Sequence, residues 1–212
     1  MNDSQPWATR EIDGPAGRLE ILLDIPAASP RAAAVLAHPH PQYGGTMHNK
    51  VVYRSAKTLC QIGCATLRFN FRGVGKSDGL YDEGRGEADD FRAAIDWMHG
   101  RYPDLNIWAS GFSFGAWIAL TVGVADPRVS LLLGIAPPTH YDFTDFRRTT
   151  KPKFLIHGEA DELFPFQDIW KLYGDLEEPK ELVVIDAADH LFDGQASEVG
   201  DAIEGLLGDF EL

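Results

Sequence analysis

Continuous apolar runs alternate with helix-periodic segments along almost the whole chain, and this alternation limits the possible folds more than any other feature. Residues 32–38 (AAAVLAH) have no polar face, as expected of a strand buried on both sides. Pro39 stops the run. A helix is expected over 49–62, with Val52, Ser55, Leu59 and Ile62 on one face and Gly63 ending it. Residues 64–70 read as the next strand and 71–79 as a Gly-rich loop. A helix over 87–99 places Phe91, Ile95 and Met98 together. A strand over 106–111, a helix over 114–122 and a strand over 129–135 follow. A strand over 154–157, a helix over 166–176, a strand over 182–185 and a helix over 197–210 complete the series. Ahead of these, 9–12 and 18–23 flank Gly14, Pro15 and Gly17 as a hairpin. The order predicts an α/β fold: a mostly parallel sheet with helices on both faces. Ligands in such sheets bind beyond the carboxyl ends of the strands.

Length and charge narrow the partners. A chain of 212 residues suits one domain spanning 1–212. The formal net charge of −13 repels phosphate backbones and anionic lipids, so neither nucleic acid nor a membrane is an expected partner. No stretch approaches the roughly 18 apolar residues of a spanning helix. The N-terminal stretch MNDSQPWATREIDGPAG has no apolar core of a secretory signal, so a cytoplasmic location is expected. Cys60 and Cys64 are not spaced as a redox Cys-x-x-Cys pair and read as two small buried thiols.

The strongest chemical signal is Gly111-Phe112-Ser113-Phe114-Gly115, a Gly-x-Ser-x-Gly sequence between an expected strand and an apolar helix. A sharp strand-to-helix turn there holds a serine in strained backbone and presents its hydroxyl at the sheet edge. A serine hydroxyl needs a base, and the base needs an orienting acid. In the chain order Ser, Asp, His, Asp161 follows the strand at 154–157 and His190 follows the strand at 182–185. All three fall at one sheet edge. Glu159, Glu162, Asp186 and Asp189 are rival acids; His157, on a strand end, reads as packed. An oxyanion hole needs two N–H donors. Phe114, directly after the serine, supplies one. The loop His38-Pro39-His40-Pro41-Gln42-Tyr43 supplies the other, and since Pro39 and Pro41 have no N–H, His40 is favoured, with Gln42 or Tyr43 behind it. His38 and His40 as metal ligands lack a matching carboxylate pair, so no metal is expected. Gly75-Lys76-Ser77 imitates a phosphate-binding loop, but Asn70 stands where its first glycine belongs and Asp78-Gly79 breaks the helix that should follow. Arg72 and Gly73 in this loop read as structural.

The motifs HPHPQYGGT, FNFRGVGKSDG, GFSFG, HGEADELFP and ADHLF together resemble the α/β-hydrolases over essentially the whole chain. The chain is similar to the small lidless branch near the dienelactone hydrolases and to short bacterial hydrolases of unassigned substrate. Dienelactone hydrolases use a cysteine nucleophile, so Ser113 places the resemblance with their serine esterase relatives. It implies hydrolysis of a small-molecule ester or related acyl compound through an acyl-enzyme, with no cofactor. A thioesterase, a small peptidase or a non-catalytic interaction module would use the same frame. Between the strands at 129–135 and 154–157 only residues 136–153 remain, room for a loop or one short helix rather than a cap. Tyr141, Phe143 and Phe146 in that segment line a shallow acyl site or pack onto the sheet.

Overall fold

The computed structural model describes residues 10–210. Its sheet runs β1 (Arg10–Gly14), β2 (Gly17–Asp24), β3 (Ala32–Ala37), β4 (Cys64–Phe69), β5 (Ile107–Phe112), β6 (Val129–Ile135), β7 (Lys153–Gly158) and β8 (Lys180–Ile185) in chain order. In space the order is β1-β2-β4-β3-β5-β6-β7-β8. The β1–β2 and β2–β4 pairs are antiparallel; every later pair is parallel. Thr9, expected to open the first strand, lies outside the described residues.

The apolar runs are explained by burial on both faces. In β3, Ala33, Val35 and Ala37 join one core, and Ala32, Ala34 and Leu36 the other. The first core is closed by α2 (Arg85–Arg101), α3 (Phe114–Ala125), α4 (Thr144–Arg148) and α5 (Phe166–Gly174). The second is closed by α1 (Lys50–Gln61) and α6 (Ala196–Leu207). Val52, Ser55 and Leu59 of α1 are buried as expected, as are Phe91, Ile95 and Met98 of α2. Each fully buried Leu, Ile or Phe contributes about 1.5–3 kcal/mol. None of the helices among the described residues is long and apolar enough to cross a membrane.

Several expected boundaries move: α3 runs on to Ala125 and α5 stops at Gly174, and three other shifts have a local reason. Helix α2 begins before Glu87, because Glu87 is its third residue and turns back to cap the start: its carboxylate accepts from Gly84 N at 2.8 Å and Asp82 N at 2.9 Å. Strand β8 begins two residues early, at Lys180, which pairs with Lys153. Helix α6 stops at Leu207, and Phe210 packs instead against Phe154 and Trp108. Both cysteines are free. Cys64 is buried and pushed up to about 12 by desolvation, whereas Cys60, expected buried, is half-buried.

The Gly-rich loop after β4 is pinned by polar pairs within the protein. Ser77 donates to Asn70 O at 2.7 Å and accepts from Glu20 N at 2.9 Å. Arg72 forks onto Asp90 of α2 through Nε at 3.0 Å and an amino group at 2.8 Å. The Asp90 side chain is fully buried. Removing one partner of such a pair leaves an uncompensated buried charge. Arg72→Met is therefore expected to cost about 3–5 kcal/mol in urea unfolding, and Arg72→Met combined with Asp90→Leu to recover most of it. A double variant no more stable than the single one contradicts this account of the loop.

Candidate active site

The end of β5 turns directly into α3 at Ser113, whose backbone sits at φ 54°, ψ −123°. That conformation is costly for a residue with a side chain. It is held by Ser113 N–H donating to Ile135 O of β6 at 2.8 Å and by Ser113 O accepting from Ala116 N at 2.8 Å. The flanking glycines are needed for space. A Cβ on Gly111 would lie 2.2 Å from Gly115 O, and one on Gly115 would lie 2.4 Å from His38 O at the end of β3.

Ser113, His190 and Asp161, expected from separate loops, meet here. Ser113 Oγ is 2.9 Å from His190 Nε2, and His190 Nδ1 is 2.7 Å from Asp161 Oδ2. All three residues are buried. The other Asp161 oxygen accepts from Leu163 N and Phe164 N, each at 2.9 Å. Burial alone would raise the Asp161 carboxyl. The hydrogen bonds from His190 and the Phe164 backbone outweigh it and hold the group below its ordinary value. With Asp161 ionised, the shared hydrogen sits on Nδ1 and the lone pair of Nε2 faces the serine hydroxyl.

The rival acids are engaged elsewhere or face water. Glu159 accepts from Ala187 N at 3.1 Å, Asp189 accepts from Asp193 N at 2.9 Å, and Glu162 and Asp186 are exposed. His157 is buried, with Nε2 2.8 Å from Phe164 O. Desolvation lowers its pKa.

At the loop after β3, His40 precedes a 3-10 turn, Pro41–Tyr43. Two of the three candidate donors are already used: Gln42 N donates to His40 Nδ1 at 3.2 Å, and Tyr43 N donates to His40 O at 3.1 Å. His40 and Phe114 both line the cavity into which Ser113 opens. The Phe114 N–H belongs to the first turn of α3, where no acceptor within the helix is available.

The cavity holds about 440 Å³. Its walls include Tyr43, Pro138, His140, Tyr141, Phe164 and His190, and among the described residues no Asp, Glu, Lys or Arg lines it. Three of the most exposed apolar side chains, Tyr43, Leu163 and Leu191, form its rim. Of the expected aromatic trio, only Tyr141 lines it. Phe143 and Phe146 are buried in the core, because α4 turns them toward the sheet. Leu163 and Leu191 escaped the sequence reading, and Tyr43 entered it only as a candidate N–H donor, since no periodic pattern marks a loop side chain as facing a cavity.

The chain matches the family described as serine aminopeptidase, S33 (Hydrolase_4), over residues 28–146, more than half its length. It is 38% identical over 207 residues to RP471, an uncharacterized protein of Rickettsia prowazekii, covering 92% of this chain and 87% of that one. An α/β serine hydrolase homologue from Coxiella burnetii superposes with TM-score 0.92 at 36% identity, covering 97% of this chain and all of the other. XC6422 from Xanthomonas campestris, an α/β serine hydrolase without a lid, superposes with TM-score 0.88 at 35% identity, covering 95% and 93%. The chain belongs to this family of α/β serine hydrolases and to its lidless branch.

His38, buried beneath the site, links stability to pH. Its Nε2 accepts from Phe71 N at 3.1 Å and its Nδ1 donates to Pro39 O at 2.6 Å. Desolvation lowers its pKa to about 4. The unfolded chain takes up that proton below about pH 6.5, so between about 6.5 and 4 the unfolded state binds more protons and stability falls as pH falls. The stabilisation is complete above this window, and its loss across it amounts to about 3 kcal/mol. His157 acts in the same direction. Urea unfolding at about pH 7.5 and about pH 5 is expected to show a steep loss in the wild type and a flatter one in His38→Gln. Equal slopes contradict this reading.

Proposed function

We propose that this lidless member of the family cleaves small, uncharged carboxylic esters through an acyl-enzyme on Ser113. The observation that carries the reading is the unbroken chain from Ser113 Oγ to His190 at 2.9 Å and from His190 to Asp161 at 2.7 Å, opening into a cavity.

His190 Nε2 takes the Ser113 proton as Oγ attacks the carbonyl carbon. The carbonyl oxygen becomes an oxyanion and is held by the N–H groups of Phe114 and His40. The intermediate collapses and the C–O bond to the alcohol breaks; His190 gives its proton to the departing oxygen. Water then attacks the acyl-serine, His190 receives the water's proton, and the acid leaves as Ser113 regains its hydrogen. Asp161 orients His190 throughout and stabilises its cation.

The lining favours an ester over the other substrates this frame supports. An aminopeptidase needs a carboxylate for the free α-ammonium of its substrate, and an acyl-CoA thioesterase needs cations for phosphates. Among the described residues the cavity walls carry neither. A neutral ester leaves no charge uncompensated.

Two experiments test the reading. A fluorophosphonate probe should label wild type at Ser113 and fail on a folded Ser113→Ala variant, whose p-nitrophenyl acetate hydrolysis should fall at least about 10³-fold. Asp161→Asn and His190→Ala should each lose about 10³–10⁴-fold, with combined losses far from additive. Full activity in Ser113→Ala, or loss in Asp186→Asn or Asp189→Asn but not in Asp161→Asn, contradicts the assignment.

Chain-length preference gives a further expected outcome. Each buried CH₂ contributes about 0.8 kcal/mol where a wall exists to receive it. The site has no lid to extend its walls over a longer chain, so kcat/KM should rise from acetate to butyrate and then level off. A steady climb to palmitate contradicts it.

A further inference from the structure

The His40 backbone has a role in the reading above; its side chain makes contacts that this role does not require. The imidazole bridges two loops. Its Nδ1 accepts from Gln42 N at 3.2 Å, capping the 3-10 turn, and its Nε2 lies 3.2 Å from the Tyr81 hydroxyl. With Nδ1 accepting, the ring hydrogen sits on Nε2 and is donated to Tyr81 Oη. Tyr81 belongs to the segment between β4 and α2, whose next residues are anchored by the buried Glu87 carboxylate. The His40 carbonyl accepts from Tyr43 N and Gly45 N, each at 3.1 Å.

The ring is also packed on three sides. Its centroid lies 4.6 Å from Tyr43, 5.1 Å from Tyr81 and 4.9 Å from Phe114. The last contact sets the ring of one proposed donor residue against the ring of the other. Pro41 confines His40 to extended backbone, at φ −51°, ψ 123°. Burial lowers the pKa of the imidazole against the pull of Glu87, so Nδ1 keeps the lone pair that receives Gln42 N–H.

We propose that the His40 side chain, tied to Tyr81, is a positioning residue that fixes its own backbone N–H, and with it the Phe114 N–H, at the spacing an oxyanion needs. This rests on the acyl-enzyme reading above and adds Tyr81 to the groups on which the reaction depends. The oxyanion exists only along the reaction, so loosening the donor should lower kcat and leave KM nearly unchanged. A residue that only stabilised the fold would lower the melting temperature and the fraction of active enzyme instead.

The test is a variant series on p-nitrophenyl acetate, with active sites counted by fluorophosphonate labelling. His40→Ala, which loses both ring hydrogen bonds and the packing against Tyr43, Tyr81 and Phe114, is expected to drop kcat per active site about 10²-fold with KM within about twofold. His40→Asn keeps an acceptor for Gln42 N–H and should recover about tenfold of that loss. Tyr81→Phe, which loses only the hydroxyl, should fall about tenfold. Affinity for a trifluoromethyl ketone, which forms a tetrahedral oxyanion on Ser113, should fall in parallel with kcat/KM. His40→Ala within about twofold of wild-type kcat, a loss confined to KM, or Asn no better than Ala overturns the proposal. If His40→Ala does not fold, unchanged kcat and ketone affinity in Tyr81→Phe overturn it. A wild type that neither hydrolyses the ester nor labels at Ser113 overturns the acyl-enzyme reading itself; an active wild type with indifferent variants overturns this inference alone.

Discussion

The site depends on how closely the start of α3 lies against the end of β3. Gly115 has no side chain because His38 O and Ala37 O occupy the space a Cβ would need, at 2.4 and 2.6 Å. Gly111 is bare because the turn folds back on Gly115. That contact sets Ser113 in its strained conformation, at a cost of about 1–3 kcal/mol. The strain is supported from beneath by β6, through Ser113 N–H to Ile135 O, and by an α3 whose apolar side chains are buried in the core. The same approach brings the first N–H groups of α3 beside the His38–Tyr43 loop. One steric constraint therefore places both the serine proposed as nucleophile and the donors proposed for its oxyanion.

Electrostatics complete what the turn begins. Asp161 is buried yet ionised, because a histidine ring nitrogen and two backbone N–H groups satisfy its oxygens. His38 and His157, buried close by, are held neutral by desolvation. In a chain with a net charge of −13, none of the described Asp, Glu, Lys or Arg residues lines the cavity at Ser113. Buried charges away from the cavity are met either by an opposite charge, as in Arg72–Asp90, or by backbone groups, as where Glu87 accepts from Asp82 N and Gly84 N and Lys153 donates to Glu177 O. The uncharged lining of the cavity leaves the N–H groups proposed for the oxyanion uncontested by a fixed charge.

Much of this was legible in the sequence because it follows from short-range rules. Burial on both faces writes itself as unbroken apolar runs, so β3, β5 and β6 fall within a residue of expectation. The Gly-x-Ser-x-Gly turn and the order Ser113, Asp161, His190 follow from chain topology, and the structure brings those three side chains together. Errors came where a side chain acts across the pattern. Glu87 looked like the first residue of a helix but reaches back to cap one that starts earlier. Phe143 and Phe146 looked like candidates for an acyl wall, yet the short α4 turns them into the core. The Tyr81–His40 contact spans 41 residues and leaves no local signature. Its one trace is the pair of prolines around His40, which singles out that residue without indicating what holds its ring.

The acyl-enzyme is the central claim, and catching it is the most direct measurement. Wild-type protein mixed with excess p-nitrophenyl acetate and quenched in acid within milliseconds should release a burst of nitrophenol close to one per active site. Intact-mass and peptide analysis should then find an adduct of about 42 Da on the peptide bearing Ser113, as expected for an acetylated nucleophile. Hydrolysis that proceeds with no burst and no adduct, or an adduct on any other residue, would contradict the account.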